Sequence, residues 1–400
     1  MSDFSKLLAA YAATQLGDQI TLLALPLIAA LVLGSGPVEM GWLAAAAALP
    51  YFLFGLPAGV WVDRLPRRSV IIAGDLLRAV VLLAVPLAAV LDLLSFPLLV
   101  TVAVLAGTGA VFVDVASQSS IPSLAARDRL IQANSRFELG RAAATTGGPG
   151  LAGAVAGFAG PALAVLASAL SAFAAAAFAW RIGYREVAVS AAARRDFVSE
   201  IREGLGFLLG EPRLRALALC ALTWNVSWFA MGAVLVLHAA RSLGLSAAEI
   251  GLVFAVDGIG MVLGAIAAPA IERRIGLGRA IVLGPTLCAL GVPLILLGTP
   301  ATAIPLLAAG RFLFGFGPMV FGVTQTSLRQ SVTPIQLLGR VNASLRWLTW
   351  GFRPLGALLG GLAAETWGLY SGVALAGLGL ALCLVPLVVS PVPGLRRLEA

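Results

Sequence analysis

The sequence predicts an all-α membrane protein with twelve transmembrane helices in two pseudo-symmetric six-helix bundles and both termini in the cytoplasm. Three observations support this prediction: the composition, the spacing of apolar runs and the placement of basic residues. The chain has 400 residues, of which 60% are hydrophobic and 12% are charged, whereas an ordinary soluble domain is about 25% charged. This composition excludes a soluble globular enzyme, a disordered chain and a collagen-like chain.

Twelve apolar runs alternate with short segments rich in glycine, proline and charge. A helix crosses the hydrocarbon core of a bilayer in roughly 20 residues, and each run is long enough to do so. Spans 1 to 6 are predicted at 7–33, 38–61, 68–92, 96–123, 134–157 and 160–182. Spans 7 to 12 are predicted at 213–241, 247–271, 278–298, 302–330, 337–363 and 367–389.

Basic residues concentrate on one side of the predicted membrane. Arg67 and Arg68 follow span 2, and Arg329 and Arg340 bracket the loop after span 10. The loops after odd-numbered spans contain a single arginine, Arg241. By the positive-inside rule, both termini and the central loop are cytoplasmic. The net charge of +8 therefore reflects orientation in a lipid bilayer, and we expect no nucleic-acid partner.

The chain divides into an N-terminal bundle at 1–182, a cytoplasmic central loop at 183–212 and a C-terminal bundle at 213–400. Within the loop, Phe197, Ile201, Leu205 and Leu208 recur every three to four residues. This spacing predicts an amphipathic helix on the cytoplasmic membrane face. A linker between the two bundles is the simpler interpretation of this helix, and a regulatory site is the alternative.

A shift of about 210 residues aligns the two halves of the chain. Glu39 then aligns with Glu249, and the run from Gln118 to Ser120 aligns with the run from Gln325 to Ser327. Because the shift equals six spans, the two copies share one orientation. This parallel repeat is typical of transporters with a substrate site near the membrane midplane.

Several chemistries are excluded by residue counts. One histidine and three cysteines are too few for a zinc centre, a haem pair or an iron–sulfur cluster, so we expect no metal and no cofactor. A nucleotide-binding P-loop and a nucleophile elbow are both missing from the sequence. We therefore expect neither an ATP-driven pump nor an enzyme.

The segment from Gly59 to Arg68, GVWVDRLPRR, resembles the loop 2–3 motif of the major facilitator superfamily, G-x-x-x-D-R-x-G-R-[RK]. Pro66 replaces the usual glycine, and this variant resembles the branch containing enterobactin exporters and macrolide efflux proteins. The resemblance implies the major facilitator fold and a conformational latch, with Gly59 allowing two helices to approach closely. The predicted latch residues are Gly59, Asp63, Arg64, Arg67, Arg68, Glu272 and Arg273. Positive-inside anchoring explains the arginines equally well but does not explain Asp63.

Span 5 carries a second motif. Gly148, Pro149 and Gly153 resemble the antiporter motif of the superfamily, G-x-x-x-G-P-x-x-G-G, which implies export by exchange. Glycine and proline at these positions also suit a kinked helix packed tightly against a neighbour. Packing of small residues is therefore the alternative explanation.

Ionisable residues inside a membrane are expected to be functional. The resemblance implies that spans 1, 4, 7 and 10 line a central cavity, and these spans contain Asp18, Asp114, His238 and Arg311. Span 8 adds Asp257. We predict that Asp18, Asp114 or Asp257 carries a coupling proton, with Arg311 as its electrostatic partner. Static buried ion pairs that hold helices together are the alternative.

Aromatic and polar side chains on the same spans are candidates for the substrate cavity. They are Phe112, Gln118, Trp224, Asn225, Trp228, His238, Phe314 and Gln325. Such side chains form an apolar wall with a few polar contacts, although lipid-facing aromatics are equally common.

Together these features predict a monomeric secondary transporter in the bacterial inner membrane. It would export an amphipathic small molecule, such as a drug, a macrolide-like compound or a siderophore, by alternating access with proton antiport. An uncoupled facilitator or a lipid or lysolipid translocator of the same fold is the alternative. A non-transporting membrane receptor is a further one.

Overall fold

The computed structural model describes residues 2–55, 57–124, 130–183, 197–334 and 337–395, and these residues are helical apart from short turns. The helices of the first half are α1 (Asp3–Leu27, extended by a π-helical turn at Ile28–Val32), α2 (Pro37–Phe54), α3 (Pro57–Asp63), α4 (Arg67–Val90), α5 (Phe96–Leu124), α6 (Leu130–Ala159) and α7 (Pro161–Trp180). Those that follow are α8 (Phe197–Gly210), α9 (Pro212–Leu237, extended by a π-helical turn at His238–Ser242), α10 (Ala247–Ile275), α11 (Leu277–Leu296), α12 (Ala303–Val332), α13 (Leu338–Gly351), α14 (Arg353–Trp367), α15 (Leu369–Leu382) and α16 (Val385–Val388).

Ten helices in the described ranges are long and apolar enough to cross a membrane. Of the two remaining predicted spans, one is more polar and the other is divided into two helices. Span 5 corresponds to α6, a helix of 30 residues whose first half carries Glu138 and Arg141. Span 11 is divided into α13 and α14 at Phe352, two residues before Pro354. Proline lacks the backbone N–H that would continue the hydrogen-bond ladder, which accounts for the interruption.

The contacts within the chain separate it into two compact units. The first comprises Met1–Glu39, Ala46–Ala193 and Ser246–Ala255, and the second comprises Met40–Ala45, Arg194–Leu245 and Val256–Ala400. The boundaries proposed from sequence, at 182 and 213, remain a prediction. Residues 184–196 of the central loop lie outside the described part of the chain.

In the first unit, α1 packs against α6 and α7, and α4 packs against α5 and α7. Small and hydroxylated residues bring these helices close together. The hydroxyl of Ser168 on α7 donates to the carbonyl oxygen of Gly17 at 2.6 Å, and Ser171 donates to that of Ala13 at 2.7 Å. Such interhelical contacts are a usual means of association between helices in lipid, where apolar burial contributes little.

In the second unit, α11 packs against α12, and α9 packs against α14 and α15. Glycines form the closest contact between α11 and α12. A Cβ atom added to Gly291 would lie 2.9 Å from the carbonyl oxygen of Gly310, and one added to Gly310 would lie 2.8 Å from that of Gly291. The two backbones therefore approach more closely than any other residue at these positions would allow.

The central-loop helix α8 packs against α13 within the second unit. Leu208 is buried in a core cluster, and Leu205 packs against that cluster. Glu203 forms an ion pair with Arg340 on α13. Leu205 and Leu208 of the predicted apolar face therefore pack within the second unit, and Glu203 adds an ion pair beside them.

Candidate functional site

A buried ion pair joins α10 and α12 in the second unit. The guanidinium of Arg311 donates through Nη2 to Oδ2 of Asp257, and the two residues are only 6% and 8% exposed. Gly315, one turn after Arg311, makes this possible, because a Cβ atom there would collide with the backbone carbonyl of Asp257. The other carboxylate oxygen, Oδ1, is buried and has no hydrogen-bond partner among the described residues.

Stacked aromatic rings extend from this ion pair. The Cζ atom of Arg311 lies 5.4 Å from the ring centroid of Trp228. Trp228 stacks on Trp224 with 5.1 Å between ring centroids, and meets Phe314 edge to face at 5.2 Å. The charge of Arg311 therefore contacts a row of aromatic rings directly.

Trp224 also lines a cavity in the second unit. The second-unit cavity has a volume of about 430 Å³, within the range of small-molecule sites. Its lining combines aromatic rings, amides and three arginines. The lining residues are Cys220, Ala221, Trp224, Asn225, Pro285, Phe321, Gly322, Gln325, Arg329, Asn342, Leu345, Arg346, Thr349, Trp350 and Arg353.

The interruption of span 11 positions part of this lining. Arg353 is the first residue of α14, and its Nε donates to Oδ1 of Asn225 on α9 at 3.0 Å. Its Cζ atom lies 4.4 Å from the ring centroid of Trp350 and 4.9 Å from that of Phe229. The helix break thus brings a guanidinium, an amide and two aromatic rings together.

The first unit contains a second buried charge cluster. Arg78 on α4 is 1% exposed and Asp75 is fully buried. Nη1 of Arg78 donates to Oδ1 of Asp75 at 3.0 Å, and Nη2 donates to Asp18 on α1. The hydroxyl of Thr14 lies 3.1 Å from both oxygens of Asp75. Two carboxylates therefore share one guanidinium in the interior of this unit.

Sequence reasoning singled out Asp18 but missed Asp75 and Arg78. Two ionisable residues three positions apart within an apolar run were the available signal. Arg329 was assigned to a cytoplasmic loop from the charge pattern, yet it lines the second-unit cavity. The positive-inside rule assigns a basic residue to one side of the membrane. It does not say which way the side chain of that residue points.

The remaining candidates are distributed between the two units. In the second unit, Asn225 and Gln325 line the cavity with Trp224, whereas Trp228 and Phe314 lie beside the ion pair. His238 is buried in the π-helical turn after α9, and its Nδ1 has no hydrogen-bond partner in the described part of the chain.

In the first unit, Gln118 donates to Oδ1 of Asp114 at 2.9 Å. Phe112 stacks on Trp61 with 5.9 Å between ring centroids. Asp114 and Gln118 thus share one face of α5, and Phe112 packs against α3. They are not part of the Arg78 cluster as described by its hydrogen bonds.

The loop motif contacts the ends of neighbouring helices. Nη1 of Arg67 donates to the carbonyl oxygen of Ser119 at 2.7 Å. Arg68 donates through Nε to that of Ala179 at 3.3 Å and through Nη2 to that of Trp180. Both arginines therefore bind carbonyls near the C-terminal end of a helix, where a cation is favourable.

For Gly59, Arg64, Glu272 and Arg273, the described part of the chain shows no comparable contact. Arg64 is exposed, and a Cβ atom on Gly59 would meet no described atom within 4 Å, so the close helix approach predicted at Gly59 is absent from the described structure. Glu272 is half-buried and Arg273 is exposed at the end of α10. The side chain of Asp63 lies outside the described residues. The latch remains a prediction.

The span 5 motif lies at tight helix contacts. A Cβ atom on Gly148 would collide with Cβ of Gln19 on α1, and one on Gly153 would lie 2.5 Å from Cα of Gly251. Pro149 lies between them within α6. Glycine at these two positions permits contacts that a larger residue would block.

These features can be compared with those of known proteins. A model of the Major Facilitator Superfamily matches residues 7–239 and again residues 217–399. The chain belongs to this superfamily. It is accordingly a multi-pass membrane transporter of the all-helical superfamily fold, as the sequence predicted, and the superfamily comprises transporters rather than enzymes.

Relatives of this superfamily protein include the multidrug efflux pump Tap of Mycolicibacterium fortuitum. It is 29% identical over 394 residues, which cover 96% of this chain and 94% of Tap. An uncharacterized transporter of the superfamily, y4rN of Sinorhizobium fredii (strain NBRC 101917 / NGR234), is 28% identical over 367 residues, or 90% of this chain and 87% of that protein.

Solved structures of other transporters share the fold. The nucleoside transporter NupG has a TM-score of 0.74 at 14% identity, covering 97% of this chain and 98% of that chain. A bacterial homologue of the iron transporter ferroportin, in its inward-facing state, has a TM-score of 0.74 at 20% identity and covers 96% of this chain and 98% of that chain. Among the described residues, no cluster of three or more His, Cys, Asp or Glu side chains could hold a metal ion.

Proposed function

We propose that this protein is a proton-coupled exporter of amphipathic small molecules in the bacterial plasma membrane, working as a monomer with cytoplasmic termini. Its relative Tap is an efflux pump. The loop motif resembles that of the enterobactin and macrolide exporter branch, and the span 5 motif resembles the antiporter motif of the superfamily. Substrate would occupy the second-unit cavity, and the coupling proton would bind Asp257.

One observation carries this proposal: the ion pair and the cavity share a continuous line of contacts. Asp257 binds Arg311, Arg311 lies over Trp228, and Trp228 stacks on Trp224 in the cavity wall. Protonation of Asp257 would remove the negative charge that holds Arg311. A shift of Arg311 would then be transmitted through the two indoles to the cavity, and substrate would act on the ion pair in the reverse direction.

Asp18 and Asp75 supply a second place for a proton. Because both carboxylates share Arg78, protonation of one still leaves an ion pair with the other. Asp114 accepts a hydrogen bond from the neutral amide of Gln118. We therefore assign coupling to Asp257 first and to the Arg78 cluster second.

The test is transport into proteoliposomes that contain the purified full-length protein. An acidic lumen should drive ethidium or anilinonaphthalene sulfonate inward above its equilibrium level, and nigericin should abolish this accumulation. Asp257→Asn should abolish accumulation but retain exchange of labelled for unlabelled probe. The matched control is Glu138→Gln, because Glu138 pairs with Arg141 at an exposed position. Full accumulation by Asp257→Asn would overturn the assignment.

A further inference from the structure

We propose that the second-unit cavity selects substrates with an anionic group, namely a carboxylate, sulfonate or phosphate attached to an aromatic or apolar body. This inference rests on the proposed function, which leaves the charge of the substrate open. It names the chemistry that the cavity would recognise.

The charges of the cavity wall have one sign. Arg329, Arg346 and Arg353 contribute to the lining, and none of the described lining residues carries a carboxylate. Guanidinium groups bind carboxylates and phosphates with planar, paired hydrogen bonds. Three of them around about 430 Å³ form a positive concavity that would attract an anion and repel a cation.

Two of these arginines converge on one aromatic ring. The Cζ atoms of Arg346 and Arg353 lie 4.2 Å and 4.4 Å from the ring centroid of Trp350. Like charges this close to a shared ring repel each other, and the repulsion grows as water is excluded. An anion bound to either guanidinium would reduce that repulsion, and Trp350 would contact the apolar part of the substrate.

The third arginine, Arg329, has a buried N–H donor that is not used within the described structure. Arg329 donates through Nη1 to the neutral amide oxygen of Gln325 at 3.0 Å. Its Nε is buried and has no hydrogen-bond partner among the described residues. A buried donor without an acceptor is unfavourable, and an oxygen of a bound anion would satisfy it.

The aromatic side of the cavity suits the body of such a substrate. Trp224 and Phe321 line the cavity together with Trp350, and Asn225 is held in place by Nε of Arg353. Aromatic walls with a few fixed polar groups are the usual composition of sites for small organic ligands. The cavity thus offers an aromatic face and a cationic face to one molecule.

A matched pair of fluorescent ligands tests the charge preference. Anilinonaphthalene sulfonate and N-phenylnaphthylamine share one aromatic skeleton and differ by the sulfonate. Binding of each is titrated against the full-length protein in lipid nanodiscs, with empty nanodiscs subtracted. We expect the sulfonate to bind at least about tenfold more tightly, as a charge-assisted hydrogen bond would give, and high salt to reduce the difference.

Variants locate the effect. Arg329→Gln and Arg353→Gln should each weaken sulfonate binding by about tenfold and weaken binding of the neutral analogue much less. Arg329→Lys and Arg353→Lys retain the charge and should recover part of the loss, which separates recognition from misfolding. Arg274→Gln is the matched control, because Arg274 is exposed at the end of α10 and does not line the cavity.

Competition identifies the source of the anion. Displacement of the dye by naphthoate but not by lysophosphatidylglycerol would indicate a soluble aromatic anion, and the opposite result would indicate a lysolipid headgroup. Either result supports the anionic chemistry. Displacement by zwitterionic lysophosphatidylcholine as strong as that by lysophosphatidylglycerol would contradict it.

The binding measurement and the transport measurement test the two proposals separately. Equal binding of the two matched dyes, or tighter binding of ethidium, would overturn the anion inference even if ethidium is exported. Tight, arginine-dependent sulfonate binding without any transport in proteoliposomes would support the site and overturn the proposed export function.

Discussion

Arg311 lies over the indole of Trp228, with its Cζ atom 5.4 Å from the ring centroid, while its Nη2 binds the buried carboxylate of Asp257. Trp228 is therefore in contact with the charge of the ion pair on one side and with Trp224 on the other. Because Trp224 lines the cavity, Trp228 is the residue through which the two sites would influence each other.

Replacement of Trp228 should uncouple transport. Trp228→Ala removes the ring that links Arg311 to Trp224, so substrate exchange should persist while gradient-driven accumulation falls roughly tenfold or more, as expected for a lost coupling of 1–3 kcal/mol. Trp228→Phe keeps an aromatic ring and should retain most of the coupling. Equal accumulation by Trp228→Ala and the unaltered protein would show that the ring carries no coupling.

The Asp257–Arg311 pair should show strong non-additivity in stability. Asp257→Asn removes the negative charge that compensates a buried guanidinium and should destabilise the protein by about 3–5 kcal/mol. The double variant with Arg311→Gln removes both charges and should be more stable than Asp257→Asn alone. Thermal unfolding in detergent measures both. If the double variant loses the sum of the two single losses, the pair is not coupled.

Substitutions in the cluster around Arg78 should lower the melting temperature by amounts that follow a fixed order. Arg78→Gln leaves Asp18 and Asp75 buried together without a cation and should lower the melting temperature most. Asp18→Asn keeps the ion pair of Arg78 with Asp75, 3.0 Å apart, and should lower it least. A larger loss for Asp18→Asn than for Arg78→Gln would contradict the shared-guanidinium arrangement.

Adjacent glycines in α6 provide a matched test of the span 5 motif. Gly148→Ala would place a methyl group against Cβ of Gln19 and should destabilise the first unit. Gly147→Ala meets no described atom within 4 Å and should be neutral or stabilising by ~0.5–1 kcal/mol, because alanine favours helix. Thermal unfolding of the two variants distinguishes them. Equal effects would show that close packing is not what the motif provides.

The sequence predicted the helical spans because long apolar runs and cytoplasmic arginines follow from the bilayer itself. It placed Asp257 and Arg311 inside the membrane and gave Arg311 three candidate partners, Asp18, Asp114 and Asp257. It could not choose among them, since the contact depends on the approach of α10 and α12 at Gly315. The pairing of Arg78 with Asp18 depends in the same way on tertiary packing.

The sequence did not predict the interruption of span 11, and the reason is different. Apolar content predicts one span at 337–363, whereas Pro354 divides it at Phe352 and brings Arg353 to Asn225. Likewise Arg329 follows the charge rule for a cytoplasmic loop, yet it belongs to the cavity wall. Charge position in the sequence therefore predicted an orientation in the membrane but did not reveal the cavity.

The central claim, that export is coupled to proton entry, is tested most directly by proton movement on addition of substrate. Proteoliposomes enclosing the pH-sensitive dye pyranine are prepared without an initial pH gradient, and anilinonaphthalene sulfonate or ethidium is added outside. Inward movement of the probe should drive protons outward, so the lumen should become alkaline in the presence of the protein and not with Asp257→Asn. Entry of the probe at the same rate with no change of luminal pH would contradict proton antiport and identify an uncoupled facilitator.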